Sequence, residues 1–254
     1  MVRKISFKNK RGLVLRGFVH IPKRFDTAVV FCHGFPSSSE GRTSRRIGPA
    51  LCREGFLVLR FNFSHTPPSG GRFEDKLMSR EVSDIRSAVD FLFRNYSFKK
   101  LVLAGHSTGA IDVSLYAQSD KRVDKIILTG AVSDLKNAVR YDFTDREVRG
   151  FWTRGYIVYR RPGSWADGRR IKKGFYDEFF SLDIPDAIKR YKRPLLIIHG
   201  EKDSIPWDRE GYALFKMANR PKEFVLIKGA DHSFTKPTHW RQVVRQMVSF
   251  IKRT

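Results

Sequence analysis

Apolar residues recur along this chain with two different periods, and the periods alternate. Residues 2–8 and 13–21 swap apolar and polar positions around the turn Asn9-Lys10-Arg11-Gly12. That pattern predicts a leading antiparallel pair. Residues 28–32, 56–62, 100–104, 125–129, 195–199 and 223–227 are short, nearly continuous apolar runs, as expected of strands covered on both faces. Between them the spacing changes. Met78, Val82, Ile85, Val89 and Leu92 recur at steps of four and three, the signature of one helix face. Trp240, Val243, Val244, Met247, Val248 and Ile251 do the same in a final helix, with Thr238 as its expected N-cap. Strand–helix alternation of this kind predicts an α/β fold. Its central sheet is mostly parallel with helices on both faces, and its active site lies at the C-terminal ends of the strands.

Candidate chemistry sits where the strands end. Gly105-His106-Ser107-Thr108-Gly109 follows the run 100–104 and leads into the helix-like Ala110-Ile111-Asp112-Val113. This is a G-x-S-x-G nucleophile elbow between a strand and a helix, the setting in which the pattern has meaning. The turn exposes the Ser107 hydroxyl, and glycine on both sides avoids a Cβ where strand and helix crowd together. It also places the N–H of Thr108 at a helix N-terminus, where an oxyanion can bind. Downstream, the strand 195–199 ends in Gly200-Glu201-Lys202-Asp203, which puts a carboxylate just past a strand end. Asp203 is the expected acid, with Glu201 and Asp208 as rivals. The strand 223–227 is followed by Gly229-Ala230-Asp231-His232, and His232 is the expected base.

The order Ser107, Asp203, His232 resembles that of the α/β-hydrolases. The closest resemblance is to the small single-domain carboxylesterases that include feruloyl and cinnamoyl esterases. The similarity runs from about residue 12 to the C-terminus, apart from an insertion near 133–190. It implies an α/β-hydrolase fold and a serine carboxylesterase cleaving small or aromatic acyl esters through a covalent acyl-enzyme. It also implies that His33-Gly34-Phe35, after the third strand, supplies the second oxyanion donor, the N–H of Phe35. One stretch departs from the family. Where relatives carry a glycine-rich turn, this chain has Phe63-Ser64-His65-Thr66-Pro67-Pro68, stiffened by two prolines. Of the remaining histidines, His33 and His106 are expected to orient loops by hydrogen bonds; His20, His65, His199 and His239 receive no role.

The segment 133–190 interrupts the alternation and is expected to form a cap on a core made of residues 1–132 and 191–254. It carries eleven aromatic residues, which suits an apolar or aromatic acyl pocket. Most of them are expected to pack the cap onto the core, with Trp152 and Tyr156 lining the substrate. Monoacylglycerol lipase and serine peptidase are the rival activities on the same triad. A lipase is expected to have a more apolar cap, and a peptidase a large extra domain. A noncatalytic binding module on the same fold is the rival from another class, although ligand binding alone does not require all three triad residues.

Composition adds one surprise. Forty-nine Lys and Arg against 26 Asp and Glu give a formal charge of +23, which raises nucleic acid as a partner. The basic residues are dispersed except at 160–174, and no nucleic-acid-binding motif accompanies them, so nucleic acid is not the expected partner. Anionic substrates or surfaces fit the same charge. No metal-ligand spacing and no glycine-rich phosphate loop is present, so the expected chemistry needs no metal and no cofactor. Cys32 and Cys52 read as buried free thiols rather than a disulfide. With no signal-like or membrane-spanning run, the expectation is a cytoplasmic protein acting on a small ester, with a homodimer left open.

Overall fold

The computed structural model describes residues 1–253. Strands β1 (Val2–Lys8) and β2 (Val14–His20) pair antiparallel. Asn9 closes their turn by accepting the amides of Arg11 and Leu13 on its side-chain oxygen. There follow β3 (Thr27–Cys32), helix α1 (Arg42–Arg53), β4 (Leu57–Phe61), α2 (Met78–Asn95), β5 (Lys100–His106), α3 (Thr108–Ala117) and β6 (Val123–Thr129). An excursion comes next: α4 (Leu135–Asp142), α5 (Asp145–Arg154), a ribbon of β7 (Tyr156–Val158) and β8 (Arg170–Lys172), and α6 (Lys173–Ser181). The chain then returns through α7 (Ile184–Arg190), β9 (Leu195–Gly200), α8 (Gly211–Met217), β10 (Lys222–Ile227) and α9 (Pro237–Lys252).

Eight strands form one sheet in the order β1-β2-β4-β3-β5-β6-β9-β10. Only the β1–β2 and β2–β4 pairings are antiparallel; the rest are parallel. Alternation along each strand divides the core in two. Val30, Leu59, Leu103, Leu128 and Ile197 face the side covered by α2 and α3. Val29, Val58, Val102, Ile127 and Ile198 face α1 and α9. Helix α3 is buried on nearly every side, because the sheet, α2 and α7 all pack on it. Helix α7 also packs on α8, so the last part of the expected insertion 133–190 lies in the sheet-covering layer. Among the described residues, no helix is long and apolar enough to cross a membrane.

Two local expectations are corrected. Helix α9 starts at Pro237 after Lys236 and has no side-chain cap, so Thr238 is an exposed second residue rather than the N-cap. Proline in the first turn is already set at a helical φ and leaves no N–H to satisfy. Both cysteines are free as expected, but only Cys32, in the central β3, is buried; Cys52 is half-buried on α1.

Three polar groups sit deep in this frame. Lys76 and Glu81 form an ion pair with both side chains 2% exposed. The Lys76 ammonium lies 5.2 Å from the ring centre of Phe35 and 5.8 Å from that of Phe175. The pair therefore supports the loop after β3 and the first cap-facing ring of α6 together. Nearby Asp112 is fully buried and neither of its oxygens finds a partner. Burial, and then the charge of Glu81, push its carboxyl well above the ordinary range, so its charged form is disfavoured. Lys76→Met removes the only cation of a buried pair and leaves Glu81 uncompensated. Urea denaturation of that variant is expected to show a loss of about 3–5 kcal/mol; a loss under about 1 kcal/mol would mean that the pair is solvated.

Candidate active site

The elbow is built by close backbone approach. Ser107 has φ 55°, a left-handed conformation that is strained for a residue with a side chain. Its N–H donates to the carbonyl of Thr129 at 2.9 Å, and its carbonyl accepts from Ala110 N–H at 2.8 Å. A Cβ on Gly105 would lie 2.2 Å from the Gly109 oxygen, and one on Gly109 would lie 2.3 Å from the Cys32 oxygen. Helix α3 is thus pressed against both β5 and the end of β3, as the two glycines of the motif predict. The loop after β3 is equally close. A Cβ on Gly34 would lie 2.9 Å from the Cβ of Ser107. Phe35 follows Gly34 at once, and Thr108 follows the serine. Among the described residues, neither Phe35 nor Thr108 donates its amide to a group of the chain.

Asp203 and His232 meet as expected. His232 Nδ1 lies 2.9 Å from each oxygen of Asp203. The Asp203 side chain is fully buried, while that of His232 is 27% exposed. The rivals for the acid position lie elsewhere: Glu201 is exposed and accepts from Gly229 N–H at 2.8 Å, and Asp208 is exposed. Asp203 Oδ1 also accepts the amide of Ile205 at 2.8 Å. Burial opposes ionisation of Asp203, yet donors from His199 and His232 outweigh it and hold the carboxyl well below the usual carboxylate range. Ser107 and His232 line the same cavity, of about 590 Å³. No hydrogen bond joins them among the described residues.

His199 is a site residue that the sequence reading left without a role. It is fully buried at the end of β9, with Nε2 3.2 Å from Asp203 Oδ2 and 3.0 Å from the Ile205 carbonyl. Both neighbours are acceptors, so the proton is assigned to Nε2. The available signal was its place four residues before Asp203, across a strand end.

His33 and His106 orient loops, as expected. His33 Nδ1 lies 2.9 Å from the Gly34 carbonyl. His106 Nδ1 lies 3.0 Å from Thr129 Oγ1, whose hydroxyl in turn donates to the Gly105 carbonyl at 3.1 Å. The His106 ring centre is 4.9 Å from that of His232. In β2, His20 accepts from Arg60 Nε at 2.9 Å.

The cap aromatics correct the pocket expectation. Trp152 is 67% exposed, with Lys173 Nζ 4.2 Å from its ring centre. Tyr156 lies in β7 under Arg170, whose guanidinium carbon is 4.6 Å away. Neither lines the cavity. Trp165 does, together with Phe35 and the turn residues Gly163 and Ser164. Trp152 follows Phe151, which is fully buried; a helix turns about 100° per residue, so the next position points outward.

With this geometry in place, comparison with known proteins is decisive for kinship. Residues 29–246 match the model of the alpha/beta hydrolase family. The chain belongs to that family. Its curated relatives include a polyketide transferase, ATR5, of Stachybotrys chlorohalonatus, 24% identical over 98% of this chain and 96% of that one. Another is the bifunctional esterase/perhydrolase DCH of Acinetobacter calcoaceticus, 24% identical over 88% of this chain and 91% of that one. Among solved structures, Est1E from Butyrivibrio proteoclasticus with bound ferulic acid shares the fold, with a TM-score of 0.82, 22% identity and coverage of 97% of both chains. As in other members of the alpha/beta hydrolase family, the elbow lies between a central parallel strand and its following helix, here β5 and α3.

Three buried histidines give this hydrolase frame a pH signature. Burial lowers His33 and His106 to about 3 and His20 to about 4, against an ordinary value of about 6.5. The unfolded chain therefore takes up protons between pH 6.5 and about 4 that the folded chain refuses. Stability is fully present above pH 6.5 and falls as pH drops through that window, by roughly 1.4 kcal/mol per pH unit for each group. Denaturant midpoints measured from pH 7 to 4.5 are expected to fall steadily, and less steeply in His106→Gln. A flat profile would show that these imidazoles are already protonated in the fold.

Proposed function

We propose that this protein is a serine carboxylic-ester hydrolase acting on small or aromatic acyl esters. The observation that carries this reading is the imidazole of His232, held from behind by Asp203, on the wall of the cavity that Ser107 also lines. A serine hydroxyl is a weak nucleophile at neutral pH and needs a base. His232 takes the Ser107 proton as Oγ attacks the acyl carbon, and Asp203 keeps the imidazole oriented and stabilises the imidazolium. The tetrahedral oxyanion accepts from the N–H groups of Phe35 and Thr108, a contribution of about 3–4 kcal/mol for each donor. His232 then protonates the leaving alcohol. Water, deprotonated by the same imidazole, attacks the acyl carbon, and the imidazolium gives that proton to Ser107 Oγ as the acid leaves. The open distance between Ser107 and His232 does not oppose this, because catalytic hydrogen bonds tighten when substrate arrives.

Three features support an ester with a compact or aromatic acyl group. The cavity volume suits a small molecule. Phe35 and Trp165 give its wall two flat apolar surfaces. The esterase named among the curated relatives and the ferulate-bound structure agree with this substrate class. In assays with p-nitrophenyl acetate and methyl ferulate, Ser107→Ala and His232→Ala are each expected to lose on the order of 10³–10⁶ in kcat/KM, with the double variant no worse than either single one. Additive losses would show that the two side chains do not act as a unit. A folded wild-type protein without turnover would favour the binding-module reading.

A further inference from the structure

The cavity wall carries charge of one sign. Arg42, the first residue of α1, lines the cavity together with Ser37, Ser38 and Thr43. Among the described residues, its guanidinium has neither a hydrogen-bond acceptor nor a carboxylate within ion-pair distance. Arg46 donates to the Thr235 carbonyl at 3.2 Å and lies 5.7 Å from the Trp240 ring centre; Arg45 is exposed and, among the described residues, unpaired like Arg42, but it does not line the cavity. No Asp or Glu lines the cavity. Asp203 is hidden behind the imidazole it orients. Asp142 on α4 lies within electrostatic reach of His232 from the cap side but not on the wall.

Arg42 is exposed and, among the described residues, unpaired, so its guanidinium is available to a group bound in the cavity. Gly41 provides no side-chain cap to α1, and no acid stands in the helix's first turn. A positive side chain at the positive end of a helix lacks the usual compensation. Across the cavity, the turn through Gly163 and Trp165 brings more positive charge, with the Arg169 guanidinium carbon 5.7 Å from the Trp165 ring centre. A guanidinium is a planar fork that fits the two oxygens of a carboxylate.

We infer that Arg42 is a specificity residue that holds a carboxylate on the substrate, so that the favoured esters are anionic. This deepens the ester-hydrolase reading and rests on it. The carboxylate stands either on the acyl part, as in the monoester of a dicarboxylic acid, or on the alcohol part, as in an ester of a hydroxy acid. Both present the same group to the fork.

The test measures kcat/KM by pH-stat for two matched pairs: monomethyl adipate against methyl hexanoate, and butyryloxyacetate against ethyl butyrate. In wild-type protein one anionic ester is expected to exceed its neutral partner by about tenfold or more, and the pair that shows it identifies the side. Arg42→Gln is expected to lower that anionic-to-neutral ratio by about tenfold, and Arg42→Lys by less. Arg45→Gln, on the exposed face of the same helix, leaves the ratio within about twofold. Raising NaCl to about 0.5 M shrinks the wild-type ratio by screening. A wild-type preference for the neutral esters, or an Arg42→Gln ratio equal to wild type, overturns the assignment while leaving the hydrolase reading intact. Absence of turnover on all four esters overturns both.

Discussion

The approach of Gly109 to the carbonyls of Cys32 and His33 fixes the rest of the site. A Cβ there would sit 2.3 Å from one oxygen and 2.6 Å from the other, so helix α3 can lie this close to β3 only with glycine at that position. The approach has two consequences. It forces the chain through the strained turn at Ser107, and it carries the loop after β3, at Gly34, against the serine. Ser107 and the loop after β3 are therefore held together by main-chain contact rather than by adaptable side chains. The Lys76–Glu81 pair beneath Phe35 braces the same loop from inside the core.

Two fully buried carboxyl groups show how neighbours, and not burial alone, decide charge. Asp112 has no donor within reach and a carboxyl neighbour, and its ionisation is disfavoured. Asp203 is equally hidden, yet receives the Ile205 amide, His199 Nε2 and His232 Nδ1. Hydrogen bonds to the charged form can outweigh the cost of leaving water. The result is a fixed negative charge behind the exposed edge of His232. His199 contributes a second imidazole contact to Oδ2, which His232 also approaches, and this limits the rotations open to the acid.

Much of this could be read from the chain because the governing signals are local. The strands and α2 follow from apolar periodicity, and the elbow follows from two glycines around a serine at a strand end. Asp203 and His232 were legible because each lies just past an apolar run. What escaped depends on tertiary contact. Trp152 and Trp165 are alike in the sequence, yet one is turned outward by the burial of Phe151 and the other is drawn to the cavity against Phe73, their ring centres 5.1 Å apart. His199 looked like the end of a buried strand, and nothing in its neighbours announced that the chain would fold Asp203 back over it. The start of α9 was misjudged by two residues, where a proline in the first turn replaced the side-chain cap that Thr238 suggested.

The central claim is that a strained serine, a carboxylate-held imidazole and two free amides form one nucleophilic device. The most direct test is reaction of the folded protein with a fluorophosphonate probe, followed by peptide mass spectrometry. One phosphonyl adduct per chain, on Ser107 and absent from urea-denatured protein, is the expected result. Folded protein in which Ser107 stays unmodified, or in which a different hydroxyl carries the adduct, would contradict the account.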